Sequence, residues 1–142
     1  MSTQTSTGEV QAAVDSKFVP SGTLDTGLAA LGVTGVFDFG AVPANQPLPY
    51  ITIGEFTESP QNAFARRGYL TRHLMHIWDN ALGFKRSQAI MARMNTLIDQ
   101  QPLTLASQSL VYLLYQQAHN MNDPGVDNIR HTVVEYETFS QE

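Results

Sequence analysis

The histidines are the first residues whose types and spacing could do chemistry. His73 and His76 are three positions apart, which on a helix would place both rings on one face, as a metal chelate requires. The residues around them alternate as in a strand, and a strand directs these two rings to opposite faces. His119 and His131 are isolated along the chain, which contains no cysteine. The sequence therefore predicts no metal site and no cofactor.

A pair of carboxylates, Glu135 and Glu137, is the next candidate for catalysis. The two residues share one face of a predicted strand near the end of the sequence. A glycosidase needs its two carboxyl groups to face each other across the substrate, at roughly 5 to 9 Å. Two glutamates on one strand face are more typical of a solvated surface. The sequence also lacks a G-x-S-x-G elbow and a glycine-rich phosphate loop, so we expect no enzyme.

Aromatic residues on the predicted strands could form a stacking platform for nucleic acid. Such platforms also need a basic groove, whereas 8 Lys and Arg stand against 13 Asp and Glu, a formal net charge of −5. This balance argues against general affinity for phosphate backbones or anionic membranes. We therefore expect Trp78, the one tryptophan, to pack in the core.

Two strands joined by a long connection hold the strongest candidate for a binding site. Tyr50 to Thr57 and Gly68 to Trp78 alternate as strands and form a natural antiparallel pair. Their connection, roughly Glu58 to Arg67, is longer than a tight hairpin needs.

That connection carries three residues of the kind found at interface anchors. Phe64 lies close to Arg66 and Arg67, so an apolar ring stands beside two guanidinium groups. We predict that Phe64, Arg66 and Arg67 contact another protein. An ordinary solvated loop is the alternative interpretation.

The remaining elements indicate an α+β fold. A stripe of apolar residues at three- and four-residue spacing predicts a long amphipathic helix at about 84–100, ended by Pro102. Shorter strand patterns surround it, at residues 36–39, 110–117 and 129–139. The pattern predicts a small antiparallel sheet with this helix packed on it.

The N-terminal region shows weaker patterns. Pro20 and Gly22 break any long helix there, which allows only a short N-terminal helix. Residues 1–8 are rich in Ser and Thr and are predicted to be the flexible N-terminal arm of a single domain that covers residues 1–142. They lack the features of a secretory signal, and no apolar run reaches about 20 residues. We therefore expect an intracellular protein at synthesis.

The strand at 110–117 is apolar on both of its faces. Leu110, Tyr112 and Leu114 lie on one face, and Val111, Leu113 and Tyr115 on the other. A sheet covered by helices on one side normally alternates between apolar and polar residues. We therefore expect the second face to be covered as well, by the N-terminal segment or by a neighbouring subunit.

Several of these motifs together resemble the tail-completion, or tail-terminator, family of siphophage-type bacteriophages. The resemblance rests on P-Y-I-T-I-G at residues 49–54, F-A-R-R-G at 64–68 and H-L-M-H-I-W-D at 73–79. A glycine turn at Gly83 and the amphipathic helix follow in the order typical of the family. The last strand, R-H-T-V-V-E-Y at 130–136, is similar to the family's closing strand.

The resemblance implies a structural virion protein and not a catalyst. Such a subunit forms a ring, commonly a hexamer, that caps the head-proximal end of the tail tube and stops its polymerisation. Its expected partners are other copies of itself, the tail tube protein and the head connector or stopper, while DNA passes through the lumen without specific binding. The expected location is the virion tail or neck, after assembly in the host cytoplasm.

Two alternatives remain open from the residues. The first is a head–tail adaptor or stopper protein of the neck. The second, from a different class, is a small-molecule-binding α+β domain that uses the second face of the sheet as a pocket.

Overall fold

The computed structural model describes residues 5–122 and 129–142, with only the backbone described at position 122. In chain order its elements are α1 (Thr7–Phe18), a 3₁₀ turn (Pro20–Gly22), α2 (Thr26–Ala30), β1 (Val36–Asp38), β2 (Tyr50–Pro60), β3 (Gly68–Asp79), α3 (Lys85–Ile98), β4 (Ser109–Asn122) and β5 (Arg130–Gln141).

The five strands form one sheet in the order β1-β2-β3-β5-β4, which confirms the α+β class. The β2–β3 pair is antiparallel, as predicted, and the pairs β3–β5 and β5–β4 are antiparallel as well. The sheet is nevertheless mixed, because β1 runs parallel to β2. The Pro-containing connection at residues 39–49 is long enough to return the chain to the start of β1, as parallel neighbours require.

The helices pack on one face of this sheet around a single apolar core. Helix α3 lies within the predicted range and buries Ile90, Met94 and Ile98 completely. The other fully buried members of the core come from α1, α2 and the strands: Val10, Val14, Phe18, Leu28, Ile51, Met75, Ile77, Leu113, Val134 and Tyr136. None of the described helices is long and apolar enough to cross a membrane.

The N-terminal region is more ordered than the sequence indicates. Helix α1 has 12 residues, longer than the short helix allowed for, and it begins at Thr7 inside the predicted arm. Ser6 is fully buried, and its Oγ lies 2.7 Å from Glu58 Oε1 and 2.9 Å from Thr71 Oγ1. The part of the predicted arm at residues 1–4 lies outside the described residues.

The second face of the sheet, which we call the open face, carries none of the described helices. Helix α1 joins α3 on the opposite face, so the prediction that the N-terminal segment covers the open face is wrong for its described part, which begins at residue 5. Coverage by a neighbouring subunit stays a prediction. Bulges in β4 at Val111 and Gln116 also shift the predicted alternation. As a result Leu113 is buried in the core, while Val111 is 51% exposed.

Candidate interaction surface

The predicted interface residues lie in the connection between β2 and β3. Because β2 is longer than predicted, this connection covers only residues 61–67. Ala63 and Arg66 exchange two backbone hydrogen bonds: Ala63 N donates to Arg66 O at 2.9 Å, and Arg66 N to Ala63 O at 3.4 Å. We call this hydrogen-bonded segment, residues 61–67, the β2–β3 turn. Phe64 and Ala65 stand at its tip.

The structure brings Phe64, Arg66 and Arg67 together but gives them different surroundings. Phe64 is fully exposed, with a relative exposure of 110%. The Nε of Arg66 donates to the backbone oxygen of Glu142 at 2.8 Å. The amide of Glu142 in turn donates to the backbone oxygen of Arg67 at 2.9 Å. Arg66 thus links the turn to the chain at the end of β5 by a hydrogen bond. The side chain of Arg67 is exposed.

His73 lies on the core face of β3, opposite to His76 as the alternation predicts. It is completely buried, and its Nε2 lies 2.8 Å from Thr138 Oγ1. Its Nδ1 has no hydrogen-bond partner. Burial lowers the pKa of His73 from 6.5 to about 4. The ring is therefore neutral at physiological pH and belongs to the core.

His76 belongs to a cluster of polar and aromatic side chains on the open face. Its Nδ1 lies 2.6 Å from His131 Nε2, and its Nε2 lies 2.8 Å from Glu55 Oε1. Trp78 stacks on His131 with 3.9 Å between ring centroids, and the indole Nε1 donates to Thr52 Oγ1 at 3.2 Å. His76 is only 5% exposed, so these neighbours enclose it.

This cluster corrects the expected position of Trp78. Its neighbours Ile77 and Asp79 are fully buried on the core side, so the alternation of β3 turns Trp78 to the open face. His131 is not isolated either, because the β3–β5 register places it opposite Trp78. Among the described residues, no three His, Cys, Asp or Glu side chains are placed to hold a metal ion.

Comparison with known proteins places the chain in a family. Residues 23–140 match the family model described as "Tail completion protein gp17". The chain belongs to this tail-completion family. That membership gives it a structural role in the tail or neck of a phage-like particle. No curated protein matches the chain.

A solved structure shares the fold of this tail-completion protein over its whole length. It is a chain of the "Virion of native gene transfer agent (GTA) particle", with a TM-score of 0.85 and 23% sequence identity. The match covers 99% of this chain and 100% of the other. At this identity the likeness establishes the fold.

The two glutamates considered for catalysis are engaged in side-chain pairs in the tail-completion protein. Glu137 accepts a hydrogen bond from the Tyr112 hydroxyl at 2.9 Å and lies 3.7 Å from the guanidinium of Arg72. Glu135 accepts from Gln117 Nε2 at 3.2 Å. Both carboxylates lie side by side on the open face, and they do not face each other across a cleft.

Proposed function

We propose that this tail-completion protein forms a ring, most simply a hexamer, on the head-proximal end of the tail tube. The ring stops tube polymerisation and joins the tail to the head connector or stopper protein. It acts by assembly and not by catalysis. The family match over residues 23–140 carries this proposal, and the exposed tip of the β2–β3 turn supplies a contact that assembly can use.

Phe64 is suited to be the anchor of that contact. Burying a phenylalanine that is fully exposed in the free subunit contributes roughly 1.5 to 3 kcal/mol. The backbone hydrogen bonds of the turn and the contact of Arg66 with Glu142 already hold the tip in place. Because little chain entropy remains to be lost on binding, most of that contribution is available to the interface.

The charge of the chain suits a conduit for DNA. A net charge of −5 per subunit gives the ring no general attraction for the phosphate backbone. Arg67 adds a local positive charge at the turn, which favours a carboxylate on the protein partner. DNA therefore passes through the lumen without specific binding in this proposal.

The test compares two surface variants. We expect Phe64→Ala, Arg66→Glu, Arg67→Glu to keep the fold by circular dichroism but to lose ring formation in native mass spectrometry or attachment to tails in a completion assay. Leu82→Ala is the matched control, since Leu82 is 94% exposed in the turn before α3. The control should assemble like the wild type.

A folded triple variant that assembles and completes tails normally would show that the β2–β3 turn is ordinary solvated surface. A wild-type chain that stays monomeric both alone and with tails would refute the ring itself.

A further inference from the structure

A groove opens at the β4 edge of the sheet. It runs between the first residues of β4 and the segment that follows α3, and it has a volume of about 400 Å³. Its apolar lining includes Pro102, Leu103, Leu110, Val111 and Leu113. We call it the β4 groove. Val111, at the bulge in β4, lines this groove and is 51% exposed.

Hydrogen bonds hold the two walls of the β4 groove together. The amide of Gln100 donates to the backbone oxygen of Leu113 at 2.8 Å. The amide of Tyr115 donates to Asp99 Oδ1 at 2.8 Å. The groove is thus already formed in the single subunit, as binding sites commonly are.

We infer that the β4 groove receives Phe64 of a second copy of this chain. The inference rests on the proposed ring and names the surface that accepts the β2–β3 turn. The volume of about 400 Å³ exceeds the roughly 150 Å³ of an apolar cavity that binds benzene. An aromatic side chain therefore fits, and the tip of the turn presents one.

Charge complementarity supports the same partner. The described residues that line the β4 groove carry no charge. A carboxylate lies at its border, because Asp99 directly precedes the lining residue Gln100. A Phe64 side chain inserted here brings Arg67 of the same copy towards this carboxylate, and such pairing favours one docking orientation.

The positions of turn and groove favour a ring. The β2–β3 turn projects from the middle of the sheet, whereas the β4 groove lies at one edge. A contact between two different surfaces of identical chains is heterologous and generates a ring when the rotation closes.

A second, smaller depression could receive Phe64 in a twofold dimer, which is the alternative to the ring contact. It has about 260 Å³, is lined by Leu70, Tyr112, Glu137 and Phe139, and lies beside Gln61 of the β2–β3 turn itself. Mutual insertion of Phe64 there would pair two copies about a twofold axis and give a closed dimer.

Because the sequence contains no cysteine, an introduced cysteine is the one thiol in each chain that a cross-linker can modify. Two single variants, Ala65→Cys and Val111→Cys, are mixed under conditions where the wild type forms rings by native mass spectrometry, or on completed tails, and treated with a short bis-maleimide. Ala65 is exposed beside Phe64 at the tip of the turn, so the thiol is introduced while Phe64 is kept. Each chain then holds one thiol, so every product joins two subunits. Leu82→Cys mixed with Ala65→Cys is the control.

We expect a cross-linked dimer from the Ala65→Cys and Val111→Cys mixture, at least roughly ten times the yield of the control. We also expect a ladder of products up to the ring size from a double variant that carries both Ala65→Cys and Val111→Cys. If Ala65→Cys alone gives as much cross-linked dimer as the mixture, the twofold geometry replaces the inference.

Two further results separate this inference from the proposed function. Rings of the wild type with no product above the control would refute the β4 groove as acceptor and leave the ring intact. Absence of rings in the wild type, with and without tails, would refute both. A second variant, Val111→Glu, should keep the circular dichroism of the wild type and lose the ring.

Discussion

His73 is a titratable ring enclosed in the core. The neutral form is favoured there because burial lowers its pKa from 6.5 to about 4. Between these two values the unfolded chain takes up a proton that the folded chain does not. The free energy of unfolding therefore falls as the pH drops through this range, and the contribution is fully present only above about pH 6.5.

Replacing His73 should remove this pH dependence. When the pH is lowered from about 7.5 to about 5, we expect protonation of His73 in the unfolded chain to reduce the unfolding free energy of the wild type by about 2 kcal/mol. The unfolding free energy of His73→Gln should not show this reduction. Urea unfolding at the two pH values measures it. His119→Gln is the control, because His119 is exposed on β4. Equal losses in wild type and His73→Gln would contradict the assignment.

Single residues were predictable where they depend on the alternation of one strand. The separation of His73 and His76 onto opposite faces follows from the period of β3 alone. The contact between His76 and His131 does not, because it joins residues 55 positions apart through the β3–β5 register. Trp78 was predicted to lie in the core because large aromatic residues generally favour the core. The alternation of side chains along β3 directs it to the open face instead.

At the scale of elements, an ion pair between a buried carboxylate and a guanidinium that is 34% exposed links the end of β3 to the start of α3. Asp79 is fully buried and accepts hydrogen bonds from the Arg86 guanidinium, with Nε at 3.0 Å from Oδ1. The amides of Asn80 and Ala81 also donate to its carboxylate, at 2.8 and 3.2 Å. Burial alone would raise the pKa of Asp79, but these bonds outweigh it and the pKa is lowered.

Removing the cation of this pair should destabilise the fold. Arg86→Met leaves the buried Asp79 carboxylate without its countercharge. Because the Arg86 side chain is 34% exposed and two backbone amides still bond the carboxylate, we expect a loss of about 2 kcal/mol in unfolding free energy at neutral pH. Arg72→Met is the matched control, since the Arg72 side chain is 56% exposed and lies 3.7 Å from Glu137. Its loss should be about 0 to 1 kcal/mol. Similar losses in both variants by urea unfolding would refute the linking role.

Elements with strong periodicity were predicted, and those fixed by tertiary contacts were missed. The central hairpin and α3 follow from alternation and a helical stripe. Helix α1 has no side-chain hydrogen bond at its N-cap, and its buried residues Val10, Val14 and Phe18 are held by packing on the sheet. The parallel pairing of β1 depends on how the following connection returns, which no local pattern encodes.

For the whole molecule, the proposed assembly combines repulsion between copies with local attraction at one contact. Every copy carries a net charge of −5, so the copies repel one another at long range. Phe64 and Arg67 counter this at short range through two different forces. Burial of the apolar ring responds little to ionic strength, whereas a guanidinium–carboxylate attraction at an exposed rim is screened by salt.

The two residues should therefore respond differently to salt. At about 0.1 M, where the Debye length is about 10 Å, we expect both Phe64→Ala and Arg67→Ala to weaken ring formation relative to the wild type. At about 1 M, where it is about 3 Å, the Arg67→Ala defect should largely disappear, while the Phe64→Ala defect should persist. Sedimentation velocity over a range of protein concentrations measures both. If the Arg67→Ala defect is unchanged at high salt, Arg67 does not act through charge. If the Phe64→Ala defect disappears at high salt, Phe64 is not an apolar anchor.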